Sequence, residues 1–164
     1  MIRTAHCQSP IGFLELRATE SALLGVRRQP EVTPFEAPDT PLLTLAAEQL
    51  TAYFAGRLTR FDLPLAYGDA SAFRGRVWDL LQQIPYGQTR SYLHLARQLG
   101  DPKAVRAVGM ANRTNPFAIV VPCHRVIAQN GDLQGYFYGL AVKRQLLALE
   151  NPRGFGVQGV ISGW

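Results

Sequence analysis

Apolar and polar residues alternate over the first thirty positions, and then the period lengthens. "TAHC" (4–7), "FLELRAT" (13–19) and "ALLGVRR" (22–28) read as short strands, with the proline and glycine of "SPIG" suited to a tight turn between the first two. The stretch from Gln29 to Pro41 holds four prolines and reads as an irregular connection. From Leu42 onward, Leu43, Ala46, Leu50, Tyr53 and Phe54 recur near helical spacing, and Gly56 is a natural stop. "RFDLPLAYGDAS" (60–71) reads as a strand running into a linker, which places a boundary near residue 70.

The rest of the chain reads as mostly helical. Phe73, Val77, Leu80, Leu81 and Ile84 form one apolar stripe, ended by "PYGQT". Ser91 can cap a second helix that turns Tyr92, Leu95, Ala96 and Leu99 inward and stops at Gly100. Asp101-Pro102 then restarts the chain with an N-cap and a proline at the first helical position, which makes a helix-turn-helix. On its second helix Ala104, Ala107, Val108 and Ala111 should pack inward. Arg106, Gly109, Met110 and Arg113 face outward, with Lys103 at the edge. Phe117 to Val121 reads as a fully buried strand that Pro122 must end, leaving Cys123, His124 and Arg125 at its mouth. The fold class is therefore α+β: a meander-and-helix domain over 1–70, then a helical domain with a winged-helix-like helix-turn-helix over 71–164.

Composition narrows the chemistry. The net charge of +5 is unevenly placed: residues 1–70 carry 6 Lys/Arg against 8 Asp/Glu, and residues 71–164 carry 11 against 4. A basic second half with a carboxylate-free outer helix face suits a polyanion, and small residues on that face allow close approach to a phosphate backbone. Two cysteines, Cys7 and Cys123, are too few for a disulfide framework or a four-thiolate zinc site, so they should be reduced thiols with no metal. The first residues lack an apolar signal core and no run approaches membrane-spanning length, which points to an intracellular protein with no membrane partner. Cys123 itself reads either as a small buried hydrophobe or as a thiolate nucleophile.

The segments "VWDLLQQIPYGQTRSY", "AVRAVGMANRTNPFAIVVPCHRVI" and "GLAVKRQLLALE" resemble the 6-O-alkylguanine-DNA alkyltransferases, the methylated-DNA–protein-cysteine methyltransferases, from about Phe73 to Glu150. Pro-Cys-His-Arg preceded by Asn115-Pro116 and a helix-turn-helix is specific to that family. The first domain is similar to the family's ribonuclease-H-like domain. The resemblance implies DNA repair by direct reversal: the alkyl group of O6-alkylguanine (and of O4-alkylthymine) in duplex DNA passes irreversibly to Cys123, once per molecule and without a cofactor. It implies a relay in which a water bridges the thiol and His124 while Glu150 orients the imidazole. A carboxylate at a helix C-terminus is electrostatically misplaced, which itself favours a functional role for Glu150. By periodicity Tyr92 is a core residue, and Asn115 before Pro116 is a helix stop. The resemblance gives Tyr92 the proton for the leaving guanine and gives Asn115 hydrogen bonds around the site. It further implies that Arg106 fills the gap left by a flipped nucleotide, in a minor-groove complex where Arg113, Lys103, Gly109 and Met110 meet the DNA.

One stretch departs from the family pattern. Where the family usually carries Gly-Tyr-x-Gly-Gly-Leu in a loop walling the alkyl pocket, this chain has Gly135-Tyr136-Phe137-Tyr138-Gly139-Leu140. Tyr136 and Tyr138 are therefore candidate pocket residues. Either Tyr138 narrows the pocket or its ring points outward. The resemblance implies a monomer acting on lesion-bearing duplex DNA in the cytoplasm, or in the nucleus of a eukaryote. Three other readings are a non-catalytic damage sensor, which would lack the cysteine, a helix-turn-helix regulator, and a Cys-His hydrolase. The tail 151–164 lies beyond the resemblance.

Overall fold

The structure, a computed structural model, describes residues 1–31, 34–131 and 135–153, so most of the tail lies outside the described residues. It divides into two compact units. The first is Met1–Asp69 with Pro116–Val120; the second is Ala70–Asn115 with Val121–Trp164.

In the first unit β1 (Arg3–Ser9), β2 (Gly12–Ala18) and β3 (Leu23–Gln29) form an antiparallel meander in sequence order. The pleat buries Ala5, Leu14, Leu16, Ala18, Leu23 and Val26. Ser9 Oγ donates to the Gly12 carbonyl at 2.6 Å, and Gly12 takes the positive φ of +107° that the turn needs. Helix α1 (Pro41–Phe54) starts where Thr40 Oγ1 accepts from the Leu43 amide and Pro41 occupies the first turn. It turns Leu42, Leu43, Ala46, Leu50 and Tyr53 into the core.

Two strands expected from the sequence are absent. Residues 60–66 reach the sheet through a single bridge, Leu65 to Leu23, because Pro64 has no amide to continue a ladder. Phe117 to Val121 is buried throughout, at 8% exposure or less, yet only Phe117 bridges to Val26. The chain then folds sharply: the Val120 amide donates to the Ala118 carbonyl at 2.7 Å across Ile119, whose φ is +71°. That is a γ-turn around a β-branched residue in the left-handed region, a conformation costing about 1–3 kcal/mol. An apolar run reports burial, and burial alone does not distinguish a strand from a buried turn.

In the second unit α2 (Ala72–Gln82) is capped by Ser71 and buries Val77, Trp78 and Leu81. A two-residue strand β4 (Arg90–Ser91) leads into α3 (Tyr92–Gln98), whose N-cap is Ser91, accepting from the His94 amide at 2.9 Å. Gly100 (φ +84°) ends the turn after α3, and Asp101 caps a 3-10 turn, Pro102–Ala104, that runs into α4 (Val105–Arg113). The indole of Trp78 donates to the Ala111 carbonyl at 2.8 Å and ties α2 to α4. After a 3-10 turn at Cys123–Arg125, β5 (Val126–Ile127) pairs in parallel with β4, and α5 (Leu140–Glu150) is the last helix among the described residues. Among the described residues, no helix is long and apolar enough to cross a membrane.

The face of α4 differs in one respect from its expected pattern. Val108, Ala111 and Asn112 are buried, Ala104 is half-buried, and Ala107 is exposed. The inward face is centred on Val108 and Ala111, and alanine is small enough to sit on either side of a helix. Arg106, Met110 and Arg113 are exposed, as is Lys103 just upstream.

Candidate active site

Cys123 opens the 3-10 turn that follows Pro122, and it is 6% exposed. Pro122, at φ −81° and ψ 64°, is the centre of an inverse γ-turn in which the Cys123 amide donates to the Val121 carbonyl at 2.8 Å. The segment is thus helical at Cys123–His124, not extended as its strand-like sequence suggested. Two asparagines of the helix-turn-helix hold this backbone. Asn115 Nδ2 donates to the Val121 carbonyl at 2.8 Å, and Asn112 Nδ2 donates to the Cys123 carbonyl at 3.3 Å. Burial raises the Cys123 thiol above its ordinary range, and hydrogen bonding from Asn115 and the charge of Lys143 pull in the opposite direction. Cys7 is only half-buried, and burial pushes its thiol up to about 11.

Behind the thiol lies a buried charge cluster. His124 is fully buried, and its Nε2 lies 2.7 Å from Glu150 Oε2. Arg125 donates through Nε to Glu150 Oε1 at 2.8 Å and through Nη2 to Oε2 at 3.1 Å. Its Nη1 reaches the Ile84 carbonyl at 2.6 Å, and its guanidinium lies 5.8 Å from the centre of the Tyr86 ring. Burial opposes the charge on Glu150, but the contacts from His124 and Arg125 overcome it and hold the carboxyl well below its usual range. Burial lowers His124, more than Glu150 raises it, so the imidazole is neutral at pH 7.

These facts fix the tautomer. An ionised carboxylate can only accept, so the single proton of neutral His124 is on Nε2. Nδ1 is left with its lone pair, buried and without a hydrogen-bond partner among the described residues. The Glu150–His124 pair therefore presents a base, with no described protein atom on it, on the residue next to a thiol in sequence.

The remaining expected residues are spread around this centre. Tyr92 is half-buried at the start of α3; burial, and then negative charge on Cys123, raises its phenol. Gly135 closes near it, since a Cβ there would lie 3.9 Å from the Tyr92 hydroxyl. Tyr136 is buried, Tyr138 is half-buried with its ring 5.7 Å from that of Tyr136, and Phe137 is 63% exposed. The substitution of Tyr138 for a glycine strains nothing: the positive φ values of this loop fall on Gly135 (+49°) and Gly139 (+94°). On α4 a Cβ at Gly109 would meet nothing within 4 Å, so the exposed face bearing Arg106, Met110 and Arg113 is open at its middle.

Three residues of the cluster carried no role in the sequence reading. Arg125 stood in the motif without a partner, and Asn112 interrupts an otherwise apolar helix face. Lys143 lies at i, i+3, i+4 and i+7 with Leu146, Leu147 and Glu150, a helical stripe that puts all four inside. That stripe was the available signal for Lys143.

A family model described as the 6-O-methylguanine DNA methyltransferase DNA-binding domain matches residues 72–152. The ribonuclease-like domain of the same family matches residues 2–67. The methylated-DNA–protein-cysteine methyltransferase of Methanosarcina acetivorans is 47% identical over 87% of this chain and 94% of its own. Among solved structures, the O6-methylguanine methyltransferase of Mycobacterium tuberculosis superposes with a TM-score of 0.81 at 45% identity, covering 94% of this chain and 95% of that one. A second crystal structure, of Mycobacterium tuberculosis OGT in complex with DNA, gives a TM-score of 0.81 at 48% identity over 92% and 94% of the two chains. The protein belongs to the 6-O-methylguanine DNA methyltransferase family.

Proposed function

We propose that this protein repairs alkylated DNA by direct reversal and that Cys123 is the acceptor. It is a methylated-DNA–protein-cysteine methyltransferase that acts on duplex DNA. The observation that carries the assignment to Cys123 is the tautomer of His124: its open Nδ1 lone pair belongs to the residue next in sequence to the one buried cysteine among the described residues. A water between Nδ1 and the thiol would pass the proton to the imidazole, and Glu150, held by Arg125, would stabilise the imidazolium. The thiolate attacks the alkyl carbon, the bond from that carbon to guanine O6 breaks, and the electron pair leaves with the guanine. Tyr92, at the edge of the loop at Gly135, supplies the proton the base then needs. The product is a thioether, too poor a leaving group for the cysteine to be regenerated, so each molecule acts once.

A stacked base cannot reach a thiol with 6% exposure, so the nucleotide has to be extruded. The exposed, basic face of α4 is the surface we assign to the DNA, with Arg106 filling the vacated position. Arg113 and Lys103 would contact phosphates, and the open position at Gly109 beside Met110 would admit the groove floor. Asn115 positions the acceptor backbone through the Val121 carbonyl. Tyr136 and Tyr138 would wall the alkyl pocket. In this reading residues 71–164 carry DNA binding and chemistry, residues 1–70 form the ribonuclease-like domain, and the protein acts as a monomer without a cofactor. Cys123→Ala tests the assignment: it should bind lesion-bearing duplex with the parent's affinity and accept no alkyl group. Transfer by that variant would overturn it.

A further inference from the structure

The relay carboxylate stands where a helix holds its residues least firmly. Glu150 is the last residue of α5, and the final turn of a helix lacks intrahelical donors for its carbonyls. The turn that follows α2 grips this end. Its Gln88 amide donates to the Pro85 carbonyl at 3.1 Å, and Gly87 between them has φ +80°. From this turn the Tyr86 hydroxyl donates to the Leu149 carbonyl at 3.4 Å, and the Gly87 carbonyl accepts from Asn151 Nδ2 at 3.3 Å. Just upstream, the Ile84 carbonyl accepts from Nη1 of Arg125, the same guanidinium that binds Glu150. Gly87 itself closes on the helix end. A Cβ on it would stand 3.3 Å from the Glu150 carbonyl oxygen, a backbone atom that yields only if the residue moves.

We propose that this turn is the seat that fixes Glu150 against His124, and that Gly87 is a positioning residue for the transfer reaction, its missing side chain letting the carbonyl end of α5 close on the turn. The proposal rests on the reading of Glu150 and His124 as the base of the relay. A β-turn with positive φ at its third residue asks for glycine or asparagine there, whatever lies nearby. The approach to Glu150 asks for more, because asparagine also carries a Cβ. With a Cβ at 3.3 Å, the neighbour has to give by a few tenths of an ångström. That displacement falls on the residue whose Oε2 lies 2.7 Å from His124 Nε2, and so it disturbs the hydrogen bond that sets the tautomer. In the sequence, "PYGQT" reads only as the end of a helix.

Two substitutions separate the turn from the close approach. Gly87→Ala adds a Cβ and strains the backbone; Gly87→Asn adds the same Cβ with less strain, since asparagine tolerates this φ. Both should slow single-turnover methyl transfer from lesion duplex by roughly tenfold, with binding of the duplex unchanged. The thermal midpoint of Gly87→Asn should lie above that of Gly87→Ala. Histidine labelled with nitrogen-15 reads the cause without DNA. The chain has three histidines, so His124 is read beside His6 and His94 as controls. In the parent at pH 8 the proton should sit on Nε2 of His124. In both variants its two tautomers should mix while the other two rings stay unmoved. Transfer by Gly87→Asn within about twofold of the parent's rate, or a His124 spectrum in that variant like the parent's, overturns the proposal and leaves Gly87 as a turn residue. If neither glycine variant folds, Asn151→Ala decides, since it removes the hydrogen bond to the Gly87 carbonyl without adding bulk. Mixed His124 tautomers with slowed transfer then support the proposal, and the parent's spectrum or rate overturns it. Failure of the relay reading would show separately, as a Glu150→Gln variant that transfers at the parent's rate.

Discussion

His124 Nε2 lies 2.7 Å from Glu150 Oε2, and the same carboxylate takes two further hydrogen bonds from Arg125. Because Glu150 is saturated with donors and offers none, it dictates which imidazole nitrogen keeps the proton. Glu150→Gln removes that dictation: the amide can donate to the ring, the other tautomer becomes available, and Arg125 loses its anion. Single-turnover alkyl transfer at pH 7.5 should slow by roughly 100-fold or more, the usual scale for losing a general base. A rate within threefold of the parent's would contradict the relay.

The same pair makes stability depend on acid. Both groups have folded values below their unfolded ones, which lie near 6.5 for His124 and 4.5 for Glu150. The unfolded chain therefore binds more protons as pH falls, and the stability these groups support is fully present above pH 6.5 and lost below it. Urea midpoints measured from pH 7.5 to 4 should begin to fall below about pH 6.5 in the parent. In His124→Gln the fall just below pH 6.5 should be shallower, the remainder coming from half-buried His94, which burial and then the charges of Arg90 and Arg97 also lower. Parallel curves for the two proteins would show that His124 does not titrate on unfolding.

Much of this was legible in the sequence because local chemistry and burial agree. The meander follows the alternation around "SPIG", α1 follows its stripe and its Thr40 cap, and the helix-turn-helix follows Ser91, Gly100 and Asp101. The acceptor turn was hidden for the opposite reason. Phe117 to Val121 is as apolar as a central strand, and only the backbone shows that Ile119 turns it back in the left-handed region. The relay residues came from the motif, yet the geometry that gives them chemistry is made by groups without a local signature. Arg125 and Glu150 are 25 residues apart, and Asn112 contributes through one carbonyl. Lys143 could have been read from helical phase, but a lysine on an inner stripe is usually taken for an exposed one.

Arg106 is exposed on α4, and none of the hydrogen bonds described for the catalytic cluster involves it. Arg106→Ala should slow repair of lesion-bearing duplex at least tenfold and leave reaction with free O6-benzylguanine base within twofold. Arg113→Ala, by contrast, should weaken binding to any sequence and reduce the slope of log affinity against log salt by about one. Normal duplex repair by both variants would remove α4 from the DNA interface.

The ring of Tyr138 packs edge-on against both Tyr136 and Phe137, at 5.7 and 5.0 Å between centroids, and a glycine would leave that volume open. Backbone strain does not enter, because Gly135 and Gly139 carry the positive φ values. Tyr138→Gly should raise the ratio of benzyl to methyl transfer rates, measured on two oligonucleotides of the same sequence. An unchanged ratio would mean that the ring lies outside the alkyl pocket.

Transfer to a single named thiol is the centre of the account, and intact mass followed by peptide mapping reads it directly. Incubated with excess duplex carrying O6-methylguanine, each protein molecule should gain one methyl group and no more, on the peptide that contains Cys123. A methyl group on Cys7, or guanine released in several-fold excess over protein, would contradict it.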